Sequence, residues 1–176
     1  ASNGANRYGG MVLDVADGVY TKNQTETSAF NNKISGVITS TYKMNLAVSK
    51  DGTRLFQASD LGIVVYDITN SFEIITSACL SSSISKPQYV EISPDGRYLL
   101  FGDTESQTNQ FEVFDMETLD SNGMYTKIIT GTYSTYGLCD GFAFSSNGLL
   151  AIGHNKGNKL TVIDMATKEA VMLKEP

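Results

Sequence analysis

NLAVSKDGTRLFQASDLGIVVYDI, residues Asn45–Ile68, decides how the rest of the chain is read. A short apolar strand leads into an Asp-Gly pair, then a second apolar strand, a polar break and a third strand closing on Asp67. The same order returns in YVEISPDGRYLLFGDTESQTNQFEVFDM (Tyr89–Met116) and in GFAFSSNGLLAIGHNKGNKLTVIDM (Gly141–Met165). A partial copy, YGGMVLDV (Tyr8–Val15), holds only the third strand. The closing residues Asp14, Asp67, Asp115 and Asp164 stand 53, 48 and 49 residues apart.

A repeat of that length with several strands per unit is the sequence mark of a β-propeller. The reading is therefore all-β: a propeller segment of about three and a half four-stranded antiparallel blades, against about four to eight in a closed ring. The divisions fall at 1–44 (a partial blade with a long polar loop), 45–80, 81–131 and 132–176. Within the first, Lys33–Thr39 is expected to supply a fourth strand. A segment short of a ring leaves two blade faces without neighbours. Either further sequence of the same chain or another chain, as a homo- or hetero-oligomer, is expected to cover them.

Asp51-Gly52, Asp95-Gly96 and Asn147-Gly148 are pairs that suit tight hairpin turns, so each joins its first and second strands antiparallel. Ser49, Ser93 and Ser145 precede them, where a short hydroxyl can bond nearby backbone. Ile63–Tyr66 is too apolar for a strand with one wet face and must be covered on both. The turn residue and the closing aspartate are 16, 20 and 17 residues apart, so the loop between second and third strands varies. Variable loops on a constant scaffold are where binding specificity is usually placed.

Net charge is −6 without a basic stripe, so a nucleic-acid backbone has no electrostatic footprint here. The longest apolar runs are strand-sized, which leaves no helical membrane span. Cys79 and Cys139 are too few for a disulfide framework and read as two separate thiols. Asn23-Gln24-Thr25 is a candidate glycosylation triplet and points to an extracellular setting.

The combination of SPDG, an apolar strand, a polar loop and a V-x-D closing strand resembles the YVTN and LVIVD families of propeller repeats, within the WD40-like superfamily. GIVVYDITN (Gly62–Asn70) is similar to the latter and NKGNKLTVIDMATKEAV (Asn155–Val171) to the former. The WD40 repeat itself fits less well. There is no Trp and no Gly-His pair opens a blade; Tyr66-Asp67, Phe114-Asp115 and Ile163-Asp164 stand where Trp-Asp would be. The resemblance implies a scaffold for binding a protein partner, often extracellular or periplasmic, and no single activity.

Three loops are expected to gather at one face: Gly131–Asp140, Asp103–Asn109 and Gly153–Asn158. Their candidate binding residues are Asp103, Glu105, Asn109, Tyr133, Tyr136, Asp140, His154 and Asn155. His154, the only histidine, reads as a loop residue at the channel mouth; one histidine without a partner does not make a nitrogen-rich metal site. Asp103, Glu105 and Asn109 offer oxygens of the kind Ca²⁺ takes, as does the alternation Asp14-Val15-Ala16-Asp17-Gly18, which lacks the downstream Glu of a calcium loop. No cofactor is expected. The closing aspartates read as turn-holding residues. The functional expectation is a non-catalytic binding or assembly scaffold. Its alternatives are a lactonase-like or quinoprotein-dehydrogenase-like enzyme, which among these residues would have to use His154, Asp140 and Asp103, and a structural repeat of a surface or filament protein.

Overall fold

The computed structural model describes residues 13–17, 19–25, 27–28, 45–59, 62–75, 79–80, 84, 88–103, 111–131, 139–154 and 159–174. The strands are β1 (Leu13–Ala16), β2 (Val19–Lys22), β3 (Leu46–Val48), β4 (Arg54–Ser59), β5 (Gly62–Asp67), β6 (Glu73–Ile74), β7 (Tyr89–Ile92), β8 (Tyr98–Gly102), β9 (Phe111–Leu119), β10 (Tyr125–Gly131), β11 (Cys139–Phe144), β12 (Leu149–His154), β13 (Lys159–Asp164) and β14 (Ala170–Lys174). They form one two-stranded sheet, β1-β2, and three four-stranded meanders, β3-β4-β5-β6, β7-β8-β9-β10 and β11-β12-β13-β14. Every pairing is antiparallel. The fold is a β-propeller segment; the three meanders are called here the first, second and third blades. The strand antiparallel to β1 is β2, which sequence reading missed. The strand expected at Lys33–Thr39 lies outside the described residues.

The Ser-x-Asp/Asn-Gly sequence builds the same turn three times. In the second blade the Ser93 hydroxyl donates to Asp95 Oδ1 at 2.5 Å and accepts the Tyr98 N–H at 2.8 Å, while the Gly96 N–H returns to the Ser93 carbonyl at 2.8 Å. Ser49 with Asp51 and Ser145 with Asn147 repeat it, both at 2.6 Å. Gly96, at φ 86°, takes the left-handed conformation that closes the loop without a Cβ penalty. The third turn is one residue shorter: the Ser145 N–H bonds the Leu149 carbonyl, four residues on, where Ser49 and Ser93 bond carbonyls five residues on.

Strand register sorts the side chains into two faces per blade. The rows Ala47–Phe56–Val65, Glu91–Leu100–Val113 and Ala143–Ala151–Val162 occupy equivalent places and point toward the following blade. The rows Val48–Leu55–Tyr66, Ile92–Leu99–Phe114 and Phe144–Leu150–Ile163 point back toward the preceding one. One core joins the first two blades through Phe56, Val65, Leu99, Phe101 and Phe114; a second joins the next two through Leu100, Phe111, Val113, Leu150 and Ile152. Each such side chain contributes about 1.5–3 kcal/mol of burial, so the blade junctions carry much of the stability. Polar links cross them as well. The Glu91 carboxylate accepts the Phe144 N–H at 3.2 Å, and the Asn45 N–H bonds the Gln88 carbonyl at 3.2 Å.

The Ile63–Tyr66 run is buried throughout, as its composition requires. Burial pushes the Tyr66 phenol up, and its hydroxyl donates to Gln57 Oε1 at 2.6 Å. The closing aspartates of the three blades hold the turns that follow them. Asp67 accepts the Thr69 N–H at 2.9 Å, Asp115 the Glu117 N–H at 3.0 Å and Asp164 the Ala166 N–H at 2.8 Å. Cys79 is a free thiol whose Sγ lies 3.4 Å from the Ile75 carbonyl.

Candidate functional site

The sheets have two ends. At one lie the ends of β8, β10 and β12 and the starts of β9, β11 and β13, where the three loops were expected. Glu105, Asn109, Tyr133, Tyr136 and Asn155 lie outside the described residues. Asp140 is in β11, at the register shift between Cys139 and Gly141, rather than in a connector. Two expectations need correction. His154 is not a loop residue at a channel mouth: it is the last residue of β12, 7% exposed, and its Nε2 lies 2.9 Å from Thr161 Oγ1 on the neighbouring strand. Asp103 follows β8 directly and is fully buried, so its carboxyl does not present itself to solvent. Both take the place Ser59 holds at the end of β4, and Ser59 is buried too. Asn23 follows β2; its carbonyl accepts the Thr27 N–H at 3.0 Å. Among the described residues, no three His, Cys, Asp or Glu side chains stand together so as to hold a metal ion, and no helix is long and apolar enough to cross a membrane.

The opposite end carries the turns, and its electrostatics come from them. Hydrogen bonds from the Ser49 hydroxyl, the Thr53 N–H and the Thr53 hydroxyl hold the Asp51 carboxyl down at about 2. Asp95 is lowered in the same way by the Ser93 hydroxyl and the Arg97 N–H, and Asp67 by the Thr69 hydroxyl. Burial acts to raise Asp115, but the Arg97 guanidinium, 2.9 Å away, and the Glu117 N–H outweigh it and leave the carboxyl lowered.

Between the first and second blades this end opens into a recess. One part, of about 510 Å³, lies over Phe56 and Met116 beneath Lys50, Asp51 and Asp95; an adjoining part of about 370 Å³ runs past Ile75, Glu117 and Leu119. Arg54, Met116 and Tyr125 line both, and the Arg54 guanidinium donates across the junction to the Tyr125 hydroxyl. The second blade builds the overhang. In the other blades the third strand stops at its closing aspartate, whereas β9 runs on to Leu119. Between the pairs Asp115–Thr126 and Leu119–Tyr125, Met116, Glu117 and Thr118 bulge out of register. Such a bulge re-aims side chains at a sheet edge, and here Met116 packs against the core joining the first two blades. The hairpin tip is closed by Asp120, whose carboxylate accepts the Asn122 and Met124 N–H groups at 2.8 and 3.0 Å. Leu119 beside it is 61% exposed. Sequence reading missed this site, although the long run FEVFDMETL was its signal.

No family model and no curated protein matches the chain. Solved structures do. The β-propeller domain of Cps50 (Swd1) from Myceliophteria thermophila superposes with a TM-score of 0.65 at 14% identity, covering 96% of this chain and 55% of that one. The WD40 repeats of RRP9 give 0.56 at 20% identity over 79% of this chain and 41% of theirs. A protein from Bacteroides fragilis described as a putative 6-phosphogluconolactonase gives 0.55 at 18% identity, over 74% and 37%. The shared feature is the β-propeller fold. The chain spans about half the length of the first of these and less of the others.

Proposed function

We propose that this chain is a non-catalytic scaffold that binds a protein partner through the inter-strand loops at the turn end of its blades. The observation that carries the reading is the recess between the first and second blades. It offers apolar surface at Ile75 and Met116, mixed charge at Lys50, Arg54 and Asp95, and an exposed anchor, Leu119, where β9 runs on past its closing aspartate. An apolar centre with a polar rim is the usual anatomy of a protein-recognition surface. The carboxylates at this end support the absence of catalysis. Asp51, Asp67, Asp95 and Asp120 are occupied by their own turns and held below the usual range, which makes them weak bases near neutral pH. The extracellular or periplasmic setting implied by the repeat resemblance belongs to the same reading, with Asn23 as its glycosylation candidate.

The test is selection of displayed peptides on the purified chain. The best binder is then titrated against wild type, Arg54→Glu, Leu119→Asp and, at the other end of the sheets, Lys159→Glu. Loss of binding in the first two variants with retention in the third is the expected result. A binder indifferent to both recess substitutions overturns the assignment of the site, and turnover of a lactone by the chain overturns the scaffold reading itself.

A further inference from the structure

We propose that Met116 is an oxidation site: a hydroperoxide converts its thioether to the sulfoxide, and the sulfoxide shuts the recess against its partner. The shutting rests on the recess reading above; the oxidation does not.

Each of the three blades has a residue in this place. Ile68, Met116 and Met165 directly follow the closing aspartates. Each bonds through its N–H to the residue just before its blade's second strand. Ile68 reaches the Thr53 carbonyl at 2.8 Å, Met116 the Arg97 carbonyl at 2.8 Å and Met165 the Gly148 carbonyl at 2.9 Å. Their surroundings differ. Met165 is 1% exposed, enclosed in the core between the second and third blades. Met116 begins the bulged stretch of β9 and is only half-buried. It packs against the core between the first two blades and also borders both parts of the recess, of about 510 and 370 Å³. The chain thus carries two methionines at one structural position, one enclosed and one beside a cavity that a peroxide, little larger than water, can enter.

The step is a two-electron oxygen transfer. A sulfur lone pair attacks one peroxide oxygen and the O–O bond breaks. The other oxygen leaves as hydroxide and takes the proton of the transferred OH, which gives water. Sulfur is oxidised and the peroxide reduced. The product, methionine sulfoxide, is polar and chiral where the thioether was apolar and flexible.

Arg54 and Tyr125 also border both parts of the recess, and the Arg54 guanidinium donates to the Tyr125 hydroxyl. A sulfoxide oxygen accepts hydrogen bonds, so it competes for the Arg54 donors. It also removes the apolar surface that Met116 offers beside Ile75. A partner then loses an apolar contact and part of its access to the Arg54 charge. Methionine sulfoxide reductases, with a dithiol oxidised to the disulfide, return the thioether and reopen the recess.

The experiment treats the full chain with hydrogen peroxide and follows the sulfoxide at each methionine by peptide mass mapping. The displayed peptide selected above is titrated against the chain before and after treatment, and likewise against Met116→Leu. Met116 should oxidise about tenfold faster than Met165 or more, because only Met116 borders the recess. Binding should weaken about tenfold in step with the Met116 sulfoxide, with the β-sheet circular dichroism retained. Methionine sulfoxide reductases A and B with dithiothreitol should restore it. Met116→Leu, whatever its own affinity, should not respond to peroxide. Equal rates at Met116 and Met165 overturn the proposal. So do loss of the fold on oxidation, full affinity in the sulfoxide form, a loss that tracks another methionine, or an equal loss in Met116→Leu. A selection that returns no peptide overturns the recess reading, and the shutting with it, while the order of oxidation still decides the site.

Discussion

Gly102 of β8 lies so close to Phe142 of β11 that a Cβ added to it would stand 2.7 Å from the ring's Cε2. The contact sits on the junction between the second and third blades, where Phe142 also meets Tyr89 edge-on at 5.5 Å. Gly102→Val should therefore wedge the two blades apart. Overpacking of this kind costs about 1–3 kcal/mol, read as a lower urea midpoint with an unchanged slope. Adding Phe142→Leu should recover part of the loss, and a double variant no more stable than Gly102→Val would show that the ring is not what the valine strikes.

Val65 is fully buried on the forward face of the first blade, in the core shared with Leu99 and Phe101. Val65→Asp places a carboxylate among these side chains without a partner, at a cost of several kcal/mol against a total margin of about 5–15. Circular dichroism should show the variant largely unfolded at room temperature. A melting temperature within a few degrees of wild type would contradict the blade-face assignment.

The turns and closing aspartates were legible because their chemistry is local. Ser93 reaches Asp95, and Asp115 reaches the Glu117 N–H, over two residues each, so recurrence alone exposes them. The double burial of Ile63–Tyr66 was legible because composition reports cover on both faces. His154 and Asp103 were misplaced for the opposite reason. Each is followed by polar residues that read as loop, yet register puts both at buried positions level with Ser59. The recess was invisible because it lies between blades, and residues as distant as Arg54 and Tyr125 meet only once the sheets pack.

Stability should fall in acid. Asp51, Asp67, Asp95 and Asp120 are held below the ordinary carboxylate value by hydrogen bonds of the folded turns. A depressed carboxyl stabilises the fold above its unfolded value of about 3.9 and loses that contribution as pH falls through the folded one. Glu91, raised by burial, works in the opposite sense and favours the fold when protonated. These four, with Asp115 lowered by Arg97 and the Glu117 N–H, outnumber it, so the melting temperature should drop between about pH 4 and pH 2. Asp51→Asn with Asp95→Asn should flatten that drop, and a profile unchanged by the pair would remove the turns as its source.

Tyr125 offers a way to separate folding from recognition at the recess. Its hydroxyl accepts from Arg54 across the first blade junction, while its ring adjoins the core that Met116 and Phe56 share. Tyr125→Phe keeps the ring and removes one partly buried hydrogen bond, worth about 0.5–1.5 kcal/mol. The melting temperature should fall by a few degrees without loss of the fold. Arg54 is then released from the junction and its guanidinium gains freedom over the recess. A peptide that relies on the Arg54 charge should pay more entropy to fix it and bind Tyr125→Phe several-fold more weakly, whereas one anchored by Leu119 alone should not change. Equal affinity of every selected peptide for Tyr125→Phe and wild type, with the stability loss still present, would confine the Arg54–Tyr125 pair to holding the blades together.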